Sequence, residues 1–269
     1  MKAFASHCLL WSATLLGCGA AWAEGDLQLS VGSEYTTGKY GSTENSEIWY
    51  VPVTGKYATG SWLLKLTVPY LRISGPANVV GMNGTMVPPA GMNSAMMPLS
   101  PAQATSRRTA EGVGDVIAAA SYAGYENRAA GVLFDVTGKI KFATADSDQG
   151  LGTGANDYAI QGDISKQSGR WAAFASGGWK SMGNPPGVTF KNPWYASLGA
   201  TYKVSSPTTL GMVYDHRSEI LDGGAKVSEI TLFLSQKISP TAKIQGYVLR
   251  GFAAASPDWG AGVMVSAGF

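Results

Sequence analysis

Charge is scarce in this chain: Asp, Glu, Lys and Arg make up 14% of its 269 residues, whereas an average soluble domain carries about a quarter. That is too little for an ordinary water-facing surface. The two cysteines, Cys8 and Cys18, both fall within the first 18 residues, so the rest of the chain has no disulfide framework and no Cys-ligated metal. Histidine is equally rare. Beyond residue 23 only His216 remains, which excludes a His-cluster metal site and a multi-His catalytic centre. A formal net charge of +2 gives neither a basic nucleic-acid footprint nor an acidic tail. No run of about 18 apolar residues exists to cross a bilayer as a helix, and no amphipathic helix longer than two turns can be traced.

What is present begins with a targeting pattern. Residues 1–23 place Lys2 before an apolar stretch and end in Ala21-Trp22-Ala23, the order of a secretory signal cut near Ala23. A competing reading takes Leu15-Leu16-Gly17-Cys18 as a lipoprotein box with Cys18 lipidated, but Leu fits poorly at its second position and no polar tether follows.

From Asp26 onward, segments of period-2 apolarity alternate with Gly, Asn, Asp, Ser and Pro clusters. Residues 132–142 are the clearest: Val132, Phe134, Val136, Ile140 and Phe142 take one face, and Asp135, Thr137, Lys139 and Lys141 the other. The pattern predicts twelve strands, at 26–38, 45–57, 61–73, 112–125, 129–144, 157–167, 170–182, 193–205, 208–220, 227–239, 242–254 and 259–269. Their connections alternate, short then long. The fold expected is an all-β, antiparallel, up-and-down transmembrane β-barrel over 24–269, with short periplasmic turns and long extracellular loops.

A soluble β-sandwich also has alternating strands, but its strands are shorter than the 9–11 residues a membrane strand needs. Same-face aromatics recur eight or ten residues apart: Trp62 with Tyr70, Trp171 with Trp179, Trp194 with Tyr202, and Trp259 with Phe269. At the rise of a tilted strand these pairs are about 20–25 Å apart along the normal, the height of the apolar band between two aromatic girdles. The C-terminal alternating strand ends in Phe269 and looks like the signal read by the barrel-assembly machinery. Other expected partners are outer-membrane lipid and lipopolysaccharide and a small-molecule solute, for a monomer without cofactor, metal or nucleic acid.

With the apolar stripe facing lipid, the lumen receives Glu34, Lys65, Asp115, Asp135, Lys139, Lys141, Asp163, Lys203, Asp215, Arg217, Glu219, Glu229 and Lys237. Their signs nearly balance, which predicts weak selectivity or an interior salt-bridge network rather than a single-sign filter. The long 74–111 connection carries Met82, Met86, Met92, Met96 and Met97 among prolines. It reads first as a low-complexity surface loop, with inward folding or thioether binding of Cu(I) as alternatives. His216 and Ser218, two apart on a strand, suggest a lipid hydrolase, but Glu229 on the next strand points to the wrong face to orient the base. The reading is therefore a non-enzyme: a channel for small solutes, hydrophobic or aromatic ones among them. A barrel that is structural or lipid-interacting, without transport, is the alternative.

Gly112-Val113-Gly114-Asp115 and Gly150-Leu151-Gly152-Thr153-Gly154-Ala155-Asn156-Asp157 imitate phosphate loops, yet neither opens a helix. In these two motifs the chain resembles the outer-membrane transporter family of the meta-pathway of phenol degradation, over roughly residues 26–269. The resemblance implies a β-barrel channel, in a family linked to uptake of aromatic or other hydrophobic compounds, and it supplies no catalytic residues.

Overall fold

The computed structural model describes residues 26–42, 44–75, 108–185 and 187–269, together with a separate two-residue ladder at 8–9 and 17–18. The signal segment as a whole, its alternative lipidation at Cys18, and the Met-rich loop lie outside the described residues.

Thirteen strands form one antiparallel sheet: β1 (Asp26–Gly38), β2 (Ser46–Thr59), β3 (Trp62–Gly75), β4 (Arg108–Val113), β5 (Ile117–Asn127), β6 (Val132–Lys141), β7 (Asp157–Ser168), β8 (Trp171–Ser181), β9 (Trp194–Lys203), β10 (Thr208–Arg217), β11 (Val227–Lys237), β12 (Ala242–Gly251) and β13 (Trp259–Gly268). Each pairs with its neighbour in sequence except β4 and β5, which both pair with β3, and β13 pairs with β1 from Trp259↔Thr37 to Gly268↔Gln28. The sheet therefore closes on itself, as it must where no water can satisfy an edge. The amide of the last residue, Phe269, donates to Leu27 O at 2.8 Å, so the ladder continues to the end of the chain.

There are twelve positions around the ring, because β4 and β5 share one. Both pair with β3, β4 along Tyr70–Gly75 and β5 along 62–67. This corrects the expectation of one continuous strand at 112–125, and it moves the bounds of the long loop from 74–111 to 76–107. Val113 points outward, 53% exposed, and after three irregular residues the even-numbered positions point outward, with Tyr122 45% exposed. The break thus shifts the alternation by one residue. The remaining strands fall where the periodicity places them, with ends differing by a few residues.

The tight connections are two residues long at 60–61 and 169–170. Gly60 (φ 54°) and Gly169 (φ 58°) take the left-handed conformation that such hairpins demand of their first residue. At the other end the connections 142–156, 182–193 and 218–226 are long.

Sidedness decides between barrel and sandwich. Leu64, Leu66, Ile160, Ile164, Leu198, Leu232, Leu234 and Val248 all lie outward and 44–61% exposed, while Thr54, Thr67, Thr137, Gln161, Ser197 and Thr231 are inward and buried. A polar interior inside an apolar jacket is the reverse of a water-soluble protein. The outward aromatics gather in directly opposed pairs near the two ends: Trp171↔Tyr202 (ring centroids 4.7 Å apart) at the short-turn end and Trp179↔Trp194 at the other. Trp62 stacks on Tyr122 at 5.0 Å, and Tyr35 lies between Trp49 and Trp259 at 5.1 and 5.6 Å. Tyr70 (44%) and Phe269 (74%) are exposed as well.

Four inward aromatic rings lie flat against the barrel wall. Phe174, Tyr195, Phe233 and Tyr247 stand directly opposite Gly199, Gly178, Gly211 and Gly262 on adjacent strands. In each pair a Cβ on the glycine would collide with the ring. Phe174, Val213, Phe233, Tyr247 and Leu249 form the largest buried apolar cluster, so the core of this protein is a lining on the inner wall.

Candidate solute path in the barrel lumen

Two rows of cross-strand neighbours set the chemistry of the interior. One runs Lys56↔Lys65↔Ala119↔Lys139↔Ala159↔Lys180 across six strands from β2 to β8. The other runs Asp135↔Asp163↔Ser176↔Ser197↔Asp215↔Glu229 from β6 to β11. Charges that nearly cancel in the sum are separated in space. Between them is a cavity of about 210 Å³, lined by Lys65, Lys139, Lys141 and Lys180, by Glu34, Asp215 and Glu229, and by Tyr50, Tyr195 and Tyr247.

The acidic side is held by hydroxyls. Ser197 Oγ donates to Asp215 Oδ1 at 2.5 Å, and Tyr247 donates its hydroxyl to Glu34 across the β12–β1 side of the wall. On the basic side Lys139 Nζ donates to Gln161 Oε1 at 2.5 Å, and Gln161 passes a hydrogen bond on to Asp163.

Nearer the long-loop end, a buried ion-pair chain joins the two glycine motifs. Lys141 Nζ lies 2.7 Å from Asp115 Oδ2, 2.9 Å from Thr153 Oγ1 and 3.4 Å from Asp157 Oδ2, and Lys180 Nζ lies 3.0 Å from the same Asp157 oxygen. Asp115 Oδ1 accepts the amides of Thr144 and Ala145 at 3.1 and 3.0 Å. Glycine is required here by close approach. A Cβ on Gly112 would meet Leu151 Cδ1 at 2.7 Å, and one on Gly152 would meet Asp115 Oδ1 at 2.7 Å. The break in the β4–β5 wall and the 142–156 connection are thus locked together, with Leu151 2% exposed.

The structure sorts the residues expected in the lumen. Glu34, Lys65, Lys139, Lys141, Asp215, Arg217 and Glu229 line the cavity, and Asp135 and Asp163 belong to the acidic row. Asp115 sits in the ion-pair chain at the wall break. Three of the expected positions lie away from that cavity. Lys203 and Lys237 end their strands at the short-turn side, away from the cavity. Glu219 lies past the end of β10 and pairs with Lys191 at 2.5 Å on the rim, where Asp222 joins it at 2.7 Å. Those two carboxylates hold the exposed Lys191 ammonium above its ordinary range, Asp222 first. Lys56, Lys180 and Asp157 were missed, although alternation with outward Tyr57, Trp179 and Tyr158 places all three inward.

His216 faces outward against the Trp194 ring at 4.9 Å, and its Nδ1 is 2.8 Å from Ser228 Oγ. Ser218 Oγ instead accepts the Trp194 amide at 3.1 Å. His216 and Ser218 therefore have separate hydrogen-bond partners and do not form the base–nucleophile pair that their spacing suggests.

This architecture is that of outer-membrane β-barrels. The fold is similar to the COG4313 outer membrane channel from Pseudomonas putida F1 (TM-score 0.70, 16% identity), covering 95% of this chain and 100% of that one. It is also similar to the NanC porin (TM-score 0.55, 9% identity, 89% and 98% covered) and the KdgM porin (TM-score 0.54, 10% identity, 90% and 99% covered). No family model and no curated protein matches the sequence.

Proposed function

We propose that this protein is an outer-membrane channel through which small solutes pass passively. The observation that carries the reading is the cavity inside a closed, lipid-jacketed barrel, bordered by a basic row on one side and an acidic row on the other. A wall built only for mechanical strength gains nothing from like-charged neighbours, whereas facing charges can orient a dipolar or charged solute at a constriction. The structural neighbours include proteins described as an outer membrane channel and as porins, which fits this role. The glycine motifs support membership of the transporter family of the meta-pathway of phenol degradation, and with it solutes of aromatic or hydrophobic character. The exposed Phe269 supports handling by the barrel-assembly machinery, and the outward apolar face supports contact with lipid and lipopolysaccharide.

The test is single-channel conductance of the refolded protein in planar bilayers. Discrete current steps are expected from the full chain and from a form lacking residues 76–107. Silence from both forms would leave a barrel of structural or lipid-interacting type.

A further inference from the structure

Lys56 and Lys65 are direct cross-strand partners on the inner face of β2 and β3. Like charges so placed repel, and Lys56 is only 8% exposed. A buried charge without an opposite partner is costly, and the rest of the basic row avoids that cost: Lys139 has Gln161 and Lys180 has Asp157. Among the described residues no hydrogen bond or ion pair relieves Lys56 or Lys65. The neighbouring charges that act on Lys65 are those of Lys56 and Lys139, both of its own sign.

The next register step toward the cavity is Thr54↔Thr67, whose hydroxyls are 3.0 Å apart, and Ile117 is the neighbour of Thr67 on β5. Pro52 and Tyr50 continue the same wall, and all of these except Lys56 line the cavity. A cationic pair, two hydroxyls and an apolar surface thus adjoin one another. At about 210 Å³ the space is below the roughly 300–1,000 Å³ usual for drug-sized ligands. Asp215 and Glu229 line the cavity from β10 and β11, and Glu34 stands directly opposite Tyr50 at the end of this wall away from Lys65, so the anionic end of a solute is favoured only at the lysine end.

We infer that the lumen holds a binding site for a small organic carboxylate with an apolar body. Lys65 and the Thr54/Thr67 hydroxyls take the carboxylate, Lys56 adds its charge from the wall directly opposite Lys65, and Pro52, Ile117 and Tyr50 take the body. The inference rests on the channel reading and narrows its solute class.

The experiment is equilibrium titration of the refolded full chain in detergent at fixed NaCl, with benzoate, its neutral counterpart benzyl alcohol, and acetate as a carboxylate without a ring. Benzoate is expected to bind at least about tenfold tighter than either, because a charged hydrogen bond and an apolar contact are both involved. Lys65→Gln should lose about tenfold for benzoate and nothing for benzyl alcohol, whereas Lys65→Arg should keep the preference. If Lys65→Gln lacks heat-modifiable mobility, Lys56→Gln should weaken benzoate in the same direction by a smaller factor and leave benzyl alcohol unchanged, since Lys56 acts only through its charge. Equal affinities for benzoate and benzyl alcohol, or an unchanged Lys→Gln variant, would overturn the site, and equal affinities for benzoate and acetate would overturn the apolar half. Conductance of the same preparation separates the two claims. Current without benzoate preference leaves the channel and removes the site; benzoate binding without current does the reverse.

Discussion

Replacing Lys141 by Met is expected to cost about 3–5 kcal/mol of barrel stability, the usual loss when one member of a buried ion pair is removed. Lys141 and Asp115 have side chains 6% and 3% exposed, and Asp157 only 1%. Without the ammonium, Asp115 retains the Thr144 and Ala145 amides and Asp157 retains Lys180, but Asp115 is left without a cation. The loss should appear as a lower urea midpoint for unfolding from lipid vesicles, with an unchanged slope. Asp115→Asn combined with Lys141→Met should recover part of it, because the uncompensated carboxylate at the wall break is gone. A single Lys141→Met variant that unfolds at the parent's midpoint would mean that water reaches this chain of charges. By contrast, Lys191→Met at the rim should leave the midpoint essentially unmoved, since its ion pairs with Glu219 and Asp222 are screened by solvent.

Lys141 also illustrates which features can be read from sequence. Its inward direction follows from alternation with Ile140 and Phe142, and the same rule oriented most of the chain because the side-chain period of a strand is two. Turn chemistry located the short connections. Alternation, however, assigns a residue to a face and leaves its cross-strand neighbours undetermined. The interior charges therefore summed to near zero, which favoured weak selectivity or general neutralisation. Register instead lines Lys56, Lys65, Lys139 and Lys180 along one row and Asp135, Asp163, Asp215 and Glu229 along another, and neutralisation is confined mainly to the chain around Lys141. The split at Gly114–Asp115–Val116 was hidden for a related reason. The irregular residues shift the alternation by one, so the strand beyond them still fits a period of two. The two glycine motifs carried a family resemblance without a physical reason, and their role became visible once Asp115 was seen against Gly152 and Leu151 against Gly112.

Glycine supplies the other large expected effect. In an ordinary strand Gly→Ala stabilises by about 0.5–1 kcal/mol, because alanine loses less conformational freedom. Gly211 is extended, with no positive φ to forbid a side chain, so on backbone grounds alone Gly211→Ala should help. Its neighbour reverses the sign. Phe233 lies directly opposite, and a Cβ at 211 would occupy the space of the ring, so Gly211→Ala should instead cost about 2–3 kcal/mol through overpacking. In a Phe233→Ala background, itself destabilised by about 3–5 kcal/mol, the same substitution should be neutral or stabilising, giving a coupling energy of about 2–3 kcal/mol. Gly246, which has open space around its Cβ position, supplies the control, since Ala there should follow the backbone rule. Urea unfolding of the single and double variants measures each term. Were Gly211→Ala to cost the same with and without the Phe233 ring, the glycine would be serving the backbone rather than the ring. The pairing of flat rings over glycines would then not explain how an inner wall bearing Phe174, Tyr195, Phe233 and Tyr247 still leaves a cavity open.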